Sequence, residues 1–237
     1  MNQSNTHPEQ TLRGKLGWAL NTQKTWIAAS ILFVFIVNRI GLFFPDLNLF
    51  GIPLALLAIW LVSWLKRAGW SDLGLYRPQS WPKIILFGLA TGAVLQAIAL
   101  IQIKLGGPMP DISAFEQVKN NPWALLGFLV ISWTTAGFGE EVIWRGFYMK
   151  QIARLFDEQK TGWVIGLVLS SVVFGLVHYY QGVNGIVITG IGGLVNGLLY
   201  FKFGKNLWAS IFAHGIADTI AFVLIFNWDA VSRILGI

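Results

Sequence analysis

The sequence predicts an all-α polytopic membrane protein of about seven to eight transmembrane helices, on three observations. Of its 237 residues, 55% are apolar and only 12% charged, against about 25% charged in soluble chains, and the mean hydropathy is +0.61. The apolar residues fall in runs close to the ~20 residues that cross a hydrocarbon core, with short polar connections between them. Twelve tryptophans and seventeen phenylalanines suit a chain with many residues at lipid–water boundaries, where indole rings settle.

Residues 1–25 read as a cytoplasmic tail, polar through Gln10, with His7 solvated and Arg13, Lys15 and Lys24 following. No short apolar core with a small-residue cleavage site precedes the first span, so no cleaved signal peptide is expected. Residues 26–237 read as one transmembrane domain. Its first span is 26–44, with Asn38 and Arg39 near the far end and Pro45-Asp46 as the turn. The second, 47–65, stops at Lys66-Arg67, and the third, 83–105, offers Gly88, Gly92 and Ala93 as a close helix–helix face. The Gly-, Pro- and Asp-rich stretch 106–122 reads as an ordered loop over one face.

The fourth span, 123–139, runs without interruption into charged residues. As one α-helix to Phe156 it would be about 50 Å long, more than a ~30 Å core, so it must bend or project into water. Spans five to seven are 163–179, 185–201 and 207–226, the sixth rich in glycine. No internal repeat is evident, which weighs against transporters built from duplicated halves.

Lysines and arginines concentrate in the tail, the 66–83 loop, residues 150–160, and Lys202 and Lys205, whereas the intervening loops carry few beyond Lys104 and Lys119. That alternation places the N-terminus in the cytoplasm and, with seven spans, the C-terminus outside; the expected location is a cell membrane of bacterial inner-membrane type. The net charge of +6 is thereby topological. No basic stripe interleaved with aromatics is present, so nucleic acid is not an expected partner; the lipid bilayer is. The absence of cysteine excludes disulfides, thiolate catalysis and cysteine-ligated zinc.

Several polar residues remain that topology does not explain. Glu140, Glu141 and Arg145 lie within an apolar span, where each charge costs roughly 2.5–3.5 kcal/mol on insertion scales. Glu141 and Arg145 stand at i,i+4 with the acid first, the favourable order for an ion pair, which leaves Glu140 free as a base. Phe174-Gly-Leu-Val-His178 ends an apolar helix, and His214-Gly-Ile-Ala-Asp218 puts a histidine and an acid on one helix face. Singly these have structural accounts: an interfacial histidine, a local hydrogen bond, an ion pair. Jointly, on helices that could converge, they indicate a site.

Glu140-Glu141-x-x-x-Arg145, then Phe174-x-x-x-His178, then His214-x-x-x-Asp218 resembles the pattern of the CAAX prenyl endopeptidase and bacteriocin-processing (CPBP, or Abi) family of intramembrane peptidases. The resemblance covers about residues 123–226, the protease-like core. It implies hydrolysis of a peptide bond in a membrane-associated, amphiphilic or lipid-modified substrate. By that resemblance Glu140 and His178 activate water, His214 and Asp218 stabilise the oxyanion or orient the water, and Glu141 and Arg145 support them. The CAAX endopeptidase branch has Asn where this chain has Asp218. An ionised Asp cannot donate to an oxyanion, so Asp218 must be protonated, orient His214 or bind a metal.

Two mechanisms fit. The expected one is metal-free, with no cofactor required; the other places Zn²⁺ on Glu140, His178, His214 and Asp218. No His-Glu-x-x-His motif is present. The alternatives to an enzyme are an ion-coupled transporter, with the same residues as its ion path, and a non-catalytic scaffold or bacteriocin-immunity factor. One strain stands in the geometry. Full-length spans put Glu140 and His214 nearer the inner face but His178 near the outer end, so helices must tilt, start low or break. Gly137, Gly139 and Gly146 permit a break.

Overall fold

A computed structural model describes residues 11–109 and 111–236; His7 and the first ten residues lie outside it. Among the described residues every regular element is helical. Helix α1 (Leu12–Thr22) is capped by the Thr11 hydroxyl and meets α2 (Lys24–Asn38) at a 96° bend. It follows α3 (Gly51–Leu65) closely: the Arg13 guanidinium donates to the Trp64 carbonyl at 2.8 Å and stacks over the Trp64 ring. Next come α4 (Trp81–Lys104), α5 (Pro122–Leu155), α6 (Lys160–Leu176), α7 (Gly182–Lys202), α8 (Trp208–Phe226) and the short α9 (Trp228–Leu235).

Every expected span has a helix, but fewer than seven are long enough to cross a bilayer. Five qualify by length and composition, or six if the bent α1–α2 pair is one span, and α6 is a shorter apolar helix. The reason lies in the chain's polar punctuation. The first apolar run does not continue to Phe44, because helix α2 stops at Asn38, whose amide reaches toward the Gly51 carbonyl (3.5 Å) and whose oxygen takes two bonds from Arg39. Ile40–Leu42 and Pro45–Phe50 then form 3-10 turns. Helix α6 runs 17 residues, about 25 Å at 1.5 Å per residue, and so falls short of the ~30 Å core.

The α5 segment neither breaks nor ends where length alone demanded. It is one helical run whose middle, Ser132–Glu140 and Val142–Met149, is π-helical, with backbone bonds closing over five residues rather than four. The local sequence accounts for the loosened ladder. The hydroxyls of Ser132, Thr134 and Thr135 bond back to carbonyls three or four residues earlier, in competition with the backbone amides. Gly137, Gly139 and Gly146 sit inside this stretch and let neighbours approach: a Cβ at Gly139 would meet Ile52, and one at Gly146 the Leu73 carbonyl. All eight residues of Val142–Met149 are buried, packed against Val34, Ile59, Leu167 and Phe174.

Helices α4 and α8 are tightly apposed. A Cβ on Gly88 would run into Phe212 and the Ala209 carbonyl, and one on Gly92 into Ile216 and the Ala213 carbonyl. Ala93, expected on the same face, is exposed instead. The 106–122 stretch packs rather than hangs free: Val118 is buried, Phe115 stacks edge-on against Phe128 and Phe222, and backbone bonds tie Asp111 to Gln181 and Asn120 to Phe226.

Candidate active site

Helices α5 and α8 bring five of the six candidate residues together through contacts of 4.0 Å or less, and the end of α6 brings the sixth, His178, to a cavity that Glu140 also lines. The centre is Glu141, fully buried. Its Oε1 accepts from Arg145 Nη1 at 2.9 Å, Asn196 Nδ2 at 3.0 Å and His214 Nδ1 at 2.9 Å. Glu141 and Arg145 are therefore not a self-contained pair. The same oxygen that meets the guanidinium also holds the imidazole of another helix. A carboxylate only accepts, so His214 donates from Nδ1, and its Nε2 is turned toward Glu140 Oε2 at 4.0 Å and Asp218 Oδ2 at 3.8 Å.

Those two distances exceed a hydrogen bond. Asp218 thus does not orient His214 by direct bonding, a role that belongs to Glu141. Glu140 Oε2 is buried with no hydrogen-bond partner among the described residues.

His178 lies just past the end of α6, with backbone angles φ −93° and ψ 21°. Its Nδ1 is 2.7 Å from the Phe174 carbonyl, so Nδ1 donates and Nε2 is left outward. The strain in the expected geometry is absent, because His178, just past the end of the 17-residue α6, lines the same cavity as Glu140. Phe174 is the wedge of the site. Its ring touches His178 (4.7 Å between centroids), His214 (6.0 Å) and Trp144 (5.5 Å) edge-on, and carries the Arg145 guanidinium over its face at 4.7 Å. Gly193 on α7 keeps that arrangement open: a Cβ there would come within 3.0 Å of Arg145 Nη2 and 3.1 Å of Phe174.

Glu140 and His178 line one cavity of about 70 Å³, together with Asn38, Arg39, Ile52, Trp144, Val177 and Tyr180. Its other walls come from the α2–α3 and α6–α7 turns, a part of the chain outside the motifs. Sequence reasoning treated Arg39 as a span-end charge and passed over Asn196. Both carried a signal, a polar side chain within or beside an apolar run, but nothing in their spacing tied them to Glu140. Among the described residues no three His, Asp or Glu side chains are grouped as a metal ion would require.

Around a space of water-molecule dimensions stand the Glu140 carboxylate, the His178 imidazole with an open nitrogen and the Arg39 guanidinium, while a second imidazole, His214, is fixed by a buried acid beside Glu140. That combination can deprotonate water and meet an oxyanion. No curated protein and no solved structure matches the chain, but a family model does: residues 122–220 match the model of Rce1-like type II CAAX prenyl endopeptidases. The matched stretch runs from the start of α5 into α8 and contains all six candidate residues. Over those residues the chain is similar to the Rce1-like family of CAAX-type intramembrane proteases.

Proposed function

We propose that the protein is an intramembrane endopeptidase in which Glu140 is the general base. The observation that carries this reading is the buried, unpartnered Glu140 Oε2 on the same small cavity as His178. Water in that cavity loses a proton to Glu140 while its oxygen attacks the scissile carbonyl, and the outward nitrogen of His178 helps align it. The resulting oxyanion is met by an imidazole N–H. With Nδ1–H committed to Glu141, His214 has a second N–H only as imidazolium, and Asp218 and Glu140 are the charges that face that nitrogen. Protonated Glu140 then delivers its proton to the leaving amine as the C–N bond breaks.

The cavity is far smaller than the 300 Å³ or more of a pocket that encloses a ligand. The substrate chain therefore runs along the mouth and only the reacting carbonyl enters. Arg39 presents a planar cation suited to a carboxylate, which fits cleavage close to a substrate's free C-terminus. Amphiphilic or lipid-modified peptides reach such a mouth through the bilayer; nucleic acid is no part of the reading. The distribution of basic residues supports a cytoplasmic N-terminus, in a membrane of bacterial inner type.

The test is peptide cleavage by purified wild type and Glu140→Gln. The variant is expected to lose about 10²- to 10⁴-fold in kcat, the range for a positioned acid–base group, with an unchanged melting temperature. Retained cleavage in the variant overturns the assignment.

A further inference from the structure

Tyr180 lines the cavity with Glu140 and His178 and carries the one hydroxyl among its lining residues. The local chain sets it there. Just past the end of α6, Tyr179–Gln181 form a tight 3-10 turn, closed by the Gln181 N–H donating to the His178 carbonyl at 2.9 Å. The turn is also held from outside, because the Asp111 N–H donates to the Gln181 carbonyl at 3.1 Å. Two residues past His178, the Tyr180 ring comes back beside the imidazole, with centroids 5.8 Å apart and the planes tilted by 35°. Its neighbour gives the contrast. Tyr179 is 64% exposed and lies outside the cavity lining, as suits a tyrosine at a lipid–water boundary.

The proton of this hydroxyl is uncommitted among the described residues. Gln181 Nε2 donates to Tyr180 Oη at 3.0 Å, which occupies a lone pair. A phenol both accepts and donates, so the O–H is left for another acceptor, and accepting from the amide strengthens that donation. Other donors around the cavity are engaged. His178 Nδ1 is held by the Phe174 carbonyl, the Asn38 amide reaches toward Gly51, and Arg39 spends Nε and Nη2 on Asn38. The charges that act on the Tyr180 hydroxyl are Glu140, Asp218 and Arg39. Ionised carboxylates only accept, so neither acid can meet an oxyanion. His214, with Nδ1–H on Glu141, needs an added proton before it can do so. A neutral phenol needs none.

We propose that Tyr180 is a further catalytic residue, whose phenolic O–H donates to the oxyanion of the tetrahedral intermediate beside the imidazole of His214. The hydroxyl keeps its hydrogen throughout. Its bond to the substrate oxygen tightens as that oxygen gains charge and relaxes as the C–N bond breaks, so the stabilisation falls on the transition state rather than on the bound peptide. This inference rests on the peptidase reading.

The test compares purified wild type, Tyr180→Phe and Tyr179→Phe in kcat and KM for one peptide. It also measures the affinity of that peptide's phosphinic analogue, which carries an anionic oxygen on a tetrahedral phosphorus where the oxyanion forms. Tyr180→Phe is expected to lose about 10²- to 10³-fold in kcat, the range for one oxyanion donor. KM and the melting temperature stay unchanged, and the analogue's affinity falls in step with kcat/KM. Tyr179→Phe is expected to match wild type throughout. A Tyr180→Phe that keeps wild-type kcat, or that loses kcat while binding the analogue as before, overturns the proposal. An equal loss in Tyr179→Phe does so too, since the effect then belongs to the turn and not to the hydroxyl. Should Tyr180→Phe fail to accumulate, Gln181→Leu removes the hydroxyl's donor and keeps the phenol. It is expected to lower kcat and analogue affinity together, and parity with wild type on both overturns the proposal. Wild type that cleaves no peptide refutes the peptidase reading and this inference with it, whereas a cleaving wild type with an indifferent Tyr180→Phe refutes this inference alone.

Discussion

At Glu141 one buried oxygen receives donors from three helices, so this residue connects the fold to the chemistry. Removing it leaves Arg145 uncompensated in the core. Breaking a buried pair in this way costs about 3–5 kcal/mol, and Glu141→Ala is expected to lower the melting temperature in detergent as well as activity. Glu140→Gln, at a carboxylate oxygen without a hydrogen-bond partner among the described residues, should lower activity alone. The contrast between the two neighbours is read by thermal unfolding beside turnover. Arg39→Gln is expected to raise KM for peptides with a free C-terminal carboxylate while sparing their amidated counterparts. An equal effect on both peptides would remove Arg39 from substrate recognition. Glu140, His178, His214 and Asp218 were legible because each is a titratable group in an apolar run. The sharing of Glu141 with His214 was not, since it depends on how α5 and α8 are rotated against each other, which spacing does not record.

At the scale of elements, the seven apolar segments were legible from hydropathy, while their true lengths were not. Asn38 and Arg39 end α2 through side-chain bonds that hydropathy does not register. The π-helical course of α5 likewise arises from hydroxyl back-bonding and glycine contacts rather than from any apolar pattern. Gly88 and Gly92 were recognisable as a packing face, and their contacts yield a prediction: Gly92→Val, forced against Ile216 and the Ala213 carbonyl, should separate α4 from α8 and lower the melting temperature. An unchanged midpoint would show the two helices free to slide. Lys66, in the turn after α3, is pushed down from 10.5 to about 7, chiefly by burial and then by Arg154 and Lys150 nearby. The folded state thus favours the neutral amine, the unfolded chain binds more protons between those two values, and stability rises with pH across that window. Lys66→Gln should therefore raise the melting temperature at and below about pH 7, with the gain fading towards pH 10.5.

For the whole molecule, the all-helical membrane architecture followed from composition, and the similarity to CAAX-type proteases from three short motifs in order across α5, α6 and α8. What composition did not convey is that two walls of the cavity, from α2 and α3, lie outside the residues that match the family model. Those walls carry Arg39. The central claim remains the chemistry at Glu140. The most direct measurement is cleavage of a peptide library by purified wild type and Glu140→Gln, with metal content determined on the same samples. Cleavage by wild type that is lost in the variant, in samples without stoichiometric metal, is the predicted result. Zinc at one equivalent that disappears together with activity would contradict the metal-free account, and no cleavage by well-folded wild type would contradict the peptidase itself.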